Sequence, residues 1–434
     1  MYMSKISNIK YHFLTYVYRS KFPLSNLKIS REKLNTMQLK RLKNTLSYAG
    51  AKVPYYRELF QRIGFDPRKM NSLDEMKQIP FLDKEILRNN PDQFLSEDIS
   101  KLDVEYVHTS GSTGTPLCIA QDIYSRSSKA AATLRAMEMA GYRLGCKWFS
   151  LWGVYATTKP TPFGIDKLLN KVYYSNNLMT ETNNIEVGKL LLRFKPSFYS
   201  GYAQSFYELG RTLHDRQIPI YSPRGIFVYG DWLPDTLRVE IEDLYQAPVY
   251  DFYSHSENSV MINENSPGVK FIAEDYFYPE IILDESKDNI GELVGTSFYN
   301  YAMPLIRYRT RDLIELDSKF DDYTGFRRVK RILGRIDDYL LMSDGRKVLS
   351  GQRAIYGIPG IKSCQYIQDR FNHMTINIIS DGNFSNNDEE VIRSRIREVT
   401  KTDMDVDFQL VDQLTQNKFG KVQFIIRKIP GVNK

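Results

Sequence analysis

This chain predicts an α/β fold in two domains, and three features of the sequence carry that prediction. Helix-like and strand-like patterns alternate from residue 185 to residue 262, as a partly parallel sheet with crossover helices requires. From residue 291 the pattern turns antiparallel, with short strands and tight connections. After Gly334-Arg335 the texture changes again, to strand, helix, strand, strand, helix, strand. The last change sets a boundary near Ile336, between an N-terminal domain over 1–335 and a C-terminal α+β domain over 336–434.

The elements follow in order. Residues 31–50 read as a helix because Leu39, Leu42 and Leu46 recur at spacings of three and four. Val53-Pro54 ends it, since the residue before proline avoids the helical region. Residues 55–63 form a second short helix before Gly64, and a third begins after a turn in 79–87 with Asp83 as N-cap. Residues 104–120 read as strand, polar loop, strand, followed by an Ala- and Met-rich helix over 126–141. Beyond it come a helix at 204–216, a strand at 225–228, a helix at 234–245 and a strand at 248–253. Three short strands are expected at 292–298, 305–309 and 313–316, and a charged hairpin over 317–330. The helix at 388–400 carries Ile392, Ile396 and Val399 on one face. Its first turn holds Asp388, Glu389 and Glu390, where the helix dipole favours acids.

With 434 residues the chain can bury a substantial core and host a cleft. Its 30 Tyr and 23 Phe against 3 Trp fit either a tyrosine-lined cleft or a plain compositional bias. Lys+Arg 59 against Asp+Glu 52 leaves +7, and no window forms a basic block, so no nucleic-acid partner is implied. Cys118, Cys146 and Cys364 are far apart, which excludes a disulfide framework and a Cys-rich zinc site and suits a reducing cytoplasm. The apolar-aromatic stretch 11–18 is short, contains His12 and lacks a small-residue cleavage site, so it does not read as a signal peptide. No segment approaches the ~18 apolar residues of a membrane span. With Lys5, Lys10, Arg19 and Lys21 nearby, residues 1–22 either pack as a helix or touch a membrane surface.

The sharpest local feature is Thr109-Ser110-Gly111-Ser112-Thr113-Gly114-Thr115-Pro116. Glycines let the backbone approach an anion with its N–H groups, and hydroxyls add neutral donors. Neither the Walker pattern nor G-x-G-x-x-G is present, so the loop is not a P-loop or a dinucleotide fingerprint. By composition alone, a polar surface turn explains it equally well.

The order of residues in this loop resembles the phosphate-binding loop of the adenylate-forming (acyl-coenzyme A synthetase) superfamily. Further segments resemble its phenylacetate–coenzyme A ligase branch, including CapK-type proteins found with polysaccharide biosynthesis. They are Val53-Pro54-Tyr55-Tyr56-Arg57, Tyr229-Gly230-Asp231, Tyr253-Ser254-His255-Ser256-Glu257, Gly291-Glu292-Leu293-Val294 with Pro304-Leu305-Ile306-Arg307-Tyr308-Arg309-Thr310-Arg311-Asp312, Gly334-Arg335-Ile336-Asp337-Asp338, and Asn417-Lys418-Phe419-Gly420-Lys421. The resemblance implies a large N-terminal domain of layered β-sheets and helices and a small mobile C-terminal domain. It also implies a two-step reaction: a carboxylate attacks the α-phosphate of ATP to give an acyl-adenylate, and the acyl group then passes to a thiol, usually coenzyme A.

By the same resemblance, residues 109–115 hold the β- and γ-phosphates, Gly230 and Asp231 line the adenine site, and Tyr253 stacks on adenine. Glu257 binds Mg²⁺, a hard cation that takes carboxylate oxygen and keeps water. Asp312 accepts from the ribose hydroxyls with Arg335 assisting, Lys421 bridges carboxylate and α-phosphate, Asp337 is the hinge, and Gly345 lines the thiol tunnel. Trp152, Tyr155, Tyr199, Tyr202 and His255 line the acyl pocket, or are plain packing residues. Taken singly, Glu257 and Lys421 read as surface charges and Asp312 as a turn residue.

Three positions depart from the family pattern: Ser254 and Arg311 stand where glycines are usual, and the Gly420-Lys421 loop lacks the Pro-x-Thr lead-in. Aromatic neighbours suit an aryl or arylacetic acid, while the CapK-type likeness points to tailoring of a polysaccharide or secondary metabolite. Coenzyme A, a carrier-protein thiol or a sugar amine all fit as acceptor, and a symmetric homodimer fits as assembly. The alternative from another class is a non-catalytic binding or scaffold relative in a glycan-assembly complex.

Overall fold

The computed structural model describes residues 5–108, 117–152, 162–167, 169–230, 233, 235–283, 289–317, 325–335, 339–349, 354–355, 358, 360–380, 382–415 and 424–431. The chain opens with helix α1 (Lys5–Arg19), α2 (Arg31–Lys52), α3 (Pro54–Ile63) and α4 (Lys84–Asn89), linked by 3₁₀ turns. The hairpin β1 (Val104–His108) and β2 (Cys118–Asp122) follows, then α5 (Ile123–Met139). Next come β3 (Trp148–Trp152), β4 (Phe163–Asp166), β5 (Lys171–Ser175), α6 (Glu181–Phe194), β6 (Phe198–Gly201), α7 (Ala203–Asp215), β7 (Gly225–Tyr229), α8 (Asp235–Tyr245) and β8 (Val249–Ser254). Strands β9 (Met261–Ser266), β10 (Val269–Ile272), β11 (Phe277–Leu283), β12 (Ile290–Ser297), β13 (Tyr308–Leu316) and β14 (Arg328–Arg335) complete the large sheet. The rest of the chain holds β15 (Tyr339–Leu341), β16 (Lys347–Leu349), β17 (Ile361–Arg370), β18 (His373–Ser380), α9 (Asn386–Thr400), β19 (Asp405–Leu410) and β20 (Ile425–Arg427).

Twelve strands share one sheet in the order β11-β12-β13-β14-β10-β9-β8-β7-β6-β3-β5-β4. From β8 to β5 neighbouring strands are parallel, and from β8 to β11 they are antiparallel. The parallel half is covered on both faces, as crossover helices demand. Side chains alternate across it with period two: Phe149, Leu151, Ile226 and Val228 pack under α6, α7 and α8, whereas Phe198, Phe227 and Phe252 pack with Ala136 and Met137 of α5. A second core joins α2 and α3 to β2, β9 and β11–β13.

Local sequence explains the helix ends. Ser30 caps α2 by accepting from Lys33 N, and Pro54 starts α3 at the one position where a missing N–H costs nothing. Gly64 ends α3 at φ 67°, the left-handed value that glycine takes without strain. Asp83 does stand at the N-cap of α4 but makes no capping bond, and its carboxylate lies 3.6 Å from Arg309 instead.

Several expectations change. The strands expected at 305–309 and 313–316 are one nine-residue strand, β13. The break read between them is a bulge: Arg311 takes φ 60°, and the pairing with β12 shifts register there. The first helix expected after residue 336 would fall between β16 and β17, where only residues 354–355, 358 and 360 are described, so most of that expectation lies outside the described residues. The tip of the charged hairpin, 318–324, and the boundary residues 336–338 lie outside the described residues. Much of the tyrosine bias is core: Tyr56, Tyr174, Tyr199, Tyr245 and Tyr366 are fully buried. Beyond residue 339, β17–β20 form a separate four-stranded sheet, and Ile392 and Ile396 of α9 join a core drawn from residues 340–425 alone.

Candidate active site

Four parallel strands end in a row, and most of the described candidate residues stand at those ends. Trp152 closes β3, Tyr202 follows β6, Tyr229 closes β7 with Gly230 next, and Tyr253-Ser254 closes β8. In open α/β sheets this edge, where the strand order switches, is where ligands bind. Trp152 and Tyr229 sit on the face that α5 covers, in line with Trp148 and Phe227. The Trp152 ring lies 5.0 Å from that of Tyr202 and 5.4 Å from that of Tyr229. Tyr199 points to the opposite face, against Phe149 and Phe206, and is a packing residue. Gly230 has φ 67°, and a Cβ there would come within 3.5 Å of the Tyr202 ring. That backbone is open to glycine and strained for other residues.

At β8 the sheet changes from parallel to antiparallel, and the chain turns through residues 255–258. Side chains from β2 and α5 grip this turn. Gln121 donates to the Ser256 carbonyl, Lys129 Nζ donates to the His255 carbonyl at 3.1 Å, and Asn258 Nδ2 donates to Ser125 Oγ at 3.2 Å. Glu257 is thereby held inward and buried. Tyr308 Oη donates to its Oε1 at 3.1 Å, and His255 Nδ1 lies 2.9 Å from Oε2, close but not aligned as a hydrogen bond. Burial alone would raise the carboxyl pKa. The neighbouring imidazole and the charge of Lys84 outweigh burial and hold it at about 2. The same burial pushes Lys129 down to about 8 and lowers Lys84, while Glu257 pulls both back up. Glu257 is therefore a buried, ionised carboxylate with the charges of Lys84 and Lys129 nearby.

The antiparallel strands curl, so that β13 meets β8 although three strands separate them in the sheet. Tyr253 Oη donates to Asp312 Oδ2 at 2.5 Å, and Arg335 at the end of β14 is the register partner of Asp312. Arg311 occupies the bulge in left-handed backbone, with its N–H on Glu292 Oε1 at 3.0 Å. Ser254, by contrast, is ordinary strand backbone outside the left-handed region, so no glycine is needed there.

The structure thus gathers Glu257, Tyr253, Asp312 and Arg335 at one end of the antiparallel half, and Trp152, Tyr202 and Gly230 at the ends of the parallel half. His255 stands with Glu257 and Tyr308, its ring 6.1 Å from that of Tyr308. Thr109, Ser110, Gly111, Ser112, Thr113, Gly114, Thr115, Tyr155, Asp231, Asp337 and Lys421 lie outside the described residues. Gly345 is described, at φ 83° in the turn between β15 and β16. Sequence reasoning missed Lys84, Lys129 and Tyr308. Tyr308 lay within a quoted motif, whereas the two lysines sit in helices whose patterns speak only of packing.

Among the described residues no cluster of three or more potential metal ligands occurs. Mg²⁺ is commonly held by one or two carboxylates together with substrate phosphates and water. A single buried, ionised Glu257 fits this donor set.

Residues 340–428 match the family model of the CapK C-terminal domain. Over 407 residues the chain is 25% identical to Protein CapK of Staphylococcus aureus, covering 91% of this chain and 89% of that one. It is 29% identical to the phenylacetate–coenzyme A ligase of Aromatoleum evansii over 337 residues, 73% of each. Its fold matches 2-hydroxyisobutyryl-CoA ligase in the postadenylation state, solved with an acyl-AMP, at a TM-score of 0.72 and 18% identity, covering 93% of this chain and 91% of that one.

Proposed function

We propose, for a chain that belongs to the CapK and phenylacetate–coenzyme A ligase branch of the adenylate-forming superfamily, an AMP-forming ligase activity that joins a carboxylic acid to a thiol through an acyl-adenylate. The observation that carries this reading is the buried Glu257 carboxylate ringed by His255, Lys84 and Lys129, one turn past the Tyr253–Asp312 pair. Such a cleft suits a polyanion bound with a cation.

In this reading Asp312 accepts from the ribose hydroxyls, with Arg335 beside it, and Tyr253 and Gly230–Asp231 frame the adenine. Residues 109–115 cradle the β- and γ-phosphates. Glu257 holds Mg²⁺, which neutralises phosphate charge when bound. The ring of cations disfavours protonation of Glu257, so the site is ready at neutral pH. Lys421 brings a point charge to the carboxylate and α-phosphate, where two anions must meet. Attack forms the bond from carboxylate oxygen to α-phosphorus and releases pyrophosphate. The thiolate then takes the acyl group and AMP leaves. Trp152, Tyr155, Tyr202 and His255 bound the acid, and the aromatic trio of Trp152, Tyr202 and Tyr229 favours a flat one. Residues 336–434 act as the mobile domain, hinged at Asp337, with Gly345 near the thiol path. Coenzyme A is the proposed acceptor, the cytoplasm the proposed setting, and tailoring of a cell-surface polysaccharide or secondary metabolite the proposed role.

Carboxylate-dependent ATP–pyrophosphate exchange with Mg²⁺ tests this, over a panel of arylacetates, benzoates, short fatty and hydroxy acids, amino acids and uronic acids. Exchange with one acid class, reduced by roughly 10²–10³ in Lys421→Ala and in Glu257→Ala, is the expected result. No exchange with any acid, together with no rise in melting temperature on adding ATP and Mg²⁺, would overturn it.

A further inference from the structure

We infer that the outer face of α1 binds an anionic lipid bilayer, with the helix lying on the surface rather than crossing it. The inner face of α1 is already occupied. Thr15 and Tyr18 are buried, the Tyr18 ring stands edge-on at 5.7 Å from that of Tyr299, and Arg19 pairs with Glu138 at the end of α5. The helix is thus seated on the body of the protein in one orientation.

That orientation turns His12, Phe13, Tyr16 and Val17 outward as one stripe, at the i, i+1, i+4, i+5 spacing of a helix face. Phe13 is 65% exposed, Tyr16 71% and Val17 40%. A helix whose only task is core packing carries polar residues on its solvent side. Here that side is aromatic and β-branched.

Charge selects the occupant. No Asp or Glu occurs before Glu32, and Lys10 is exposed beside the stripe, while the Lys21 ammonium lies over the Tyr18 ring at 4.1 Å on the packed side. The acids on neighbouring elements are engaged: Glu138 with Arg19, and Asp103 and Glu105 with Arg126. A second copy of this chain, joined about a two-fold axis, would set this lysine-bearing face against itself with no acid of its own to answer. An anionic bilayer supplies the opposite charge, and Phe and Tyr are suited to the headgroup boundary. No helix of the described residues is long and apolar enough to cross a membrane, so the contact is peripheral.

The test is co-sedimentation of the full chain with phosphatidylcholine vesicles and with phosphatidylcholine–phosphatidylglycerol vesicles, at low and high salt. Binding should be about five-fold or more tighter on the anionic vesicles, since a cation near the surface adds about five-fold, and it should weaken with salt. Phe13→Ser with Tyr16→Ser should weaken binding about ten-fold or more, and separately Lys10→Glu about five-fold or more, each with an unchanged melting temperature. Absence of binding to anionic vesicles, or binding that survives the Phe13/Tyr16 change, overturns the inference. So does a Phe13/Tyr16 variant that turns a dimer into a monomer while neither protein binds vesicles, because the face would then be a homodimer contact.

Discussion

In the parallel half of the large sheet the inward positions are Phe149, Leu151, Val172, Ile226 and Val228. In the antiparallel half buried and half-buried acids recur, each set against an arginine. Glu264 pairs with Arg238 at 2.7 Å, Glu280 with Arg307 at 2.7 Å, Glu292 with Arg309, and Glu274 with both Arg31 and Arg327. One half can therefore only shape a pocket, through the aromatic residues at its strand ends. The other is built to hold charge away from water. Glu257 is the instructive exception, since among the described residues no guanidinium forks it. A phenol, an imidazole and two lysines at longer range surround it, each of which can yield to a ligand. The acids in arginine forks are tied into the sheet, whereas Glu257 is held by single donors, as the role proposed for it requires.

The largest way to break that contrast is Arg307→Met, which strands Glu280 with no guanidinium partner. Equilibrium denaturant unfolding should show a loss of about 3 kcal/mol, the low end for one-sided removal of a buried pair, because the Glu280 carboxylate is partly exposed. A loss under 1 kcal/mol would mean that water satisfies Glu280 as it does a surface acid.

Glu257 should be readable by acid. Its folded carboxyl pKa, about 2, lies below the ordinary ~4.3 of a free glutamate, so its contribution to stability is complete above about pH 4.5 and disappears as pH falls towards 2. At two to three pKa units the contribution is about 3 kcal/mol. The stability difference between the wild type and Glu257→Gln, followed by unfolding at pH 6, 4 and 3, should shrink as acid is added. A difference independent of pH would refute the charge ring.

On the aromatic side, Trp152→Ala should lower kcat/KM for an aryl acid about ten-fold and leave the KM for ATP unchanged, the scale expected of an apolar pocket contact. An equal effect on ATP would merge the two halves into one site. The smallest change sits at the join. Arg311 bears left-handed backbone at φ 60°, so Arg311→Gly should add up to about 1 kcal/mol of stability. A loss there would mean that the arginine side chain contributes more than its backbone costs.

Much of this was legible in the residues. Leu42 and Leu46 marked the buried face of α2, Gly64 its neighbour's end, and Ile392 and Ile396 the core face of α9. The βα alternation before residue 262 announced the parallel half. The resemblance to adenylate-forming enzymes, rather than spacing or composition, singled out Glu257, Tyr253, Asp312 and Arg335, which the fold brings to one end of the sheet. Lys84 and Lys129 were not legible, because a lysine on a helix looks the same in sequence whether water or a buried carboxylate faces it. Likewise Tyr199 and Tyr202 are three residues apart and alike in type, yet strand alternation sends one to the core and the other to the site.

The sequence by itself determined many of the helices and strands and the order of the two domains, because periodicity, capping and turn chemistry are local. The tertiary structure alone decided which charges meet. Glu257 and Tyr308 are separated by more than fifty residues, and only the curl of the antiparallel strands closes that distance to 3.1 Å. Whether Arg311 ends a strand or bulges within one was settled the same way, by the register of β12 beside it.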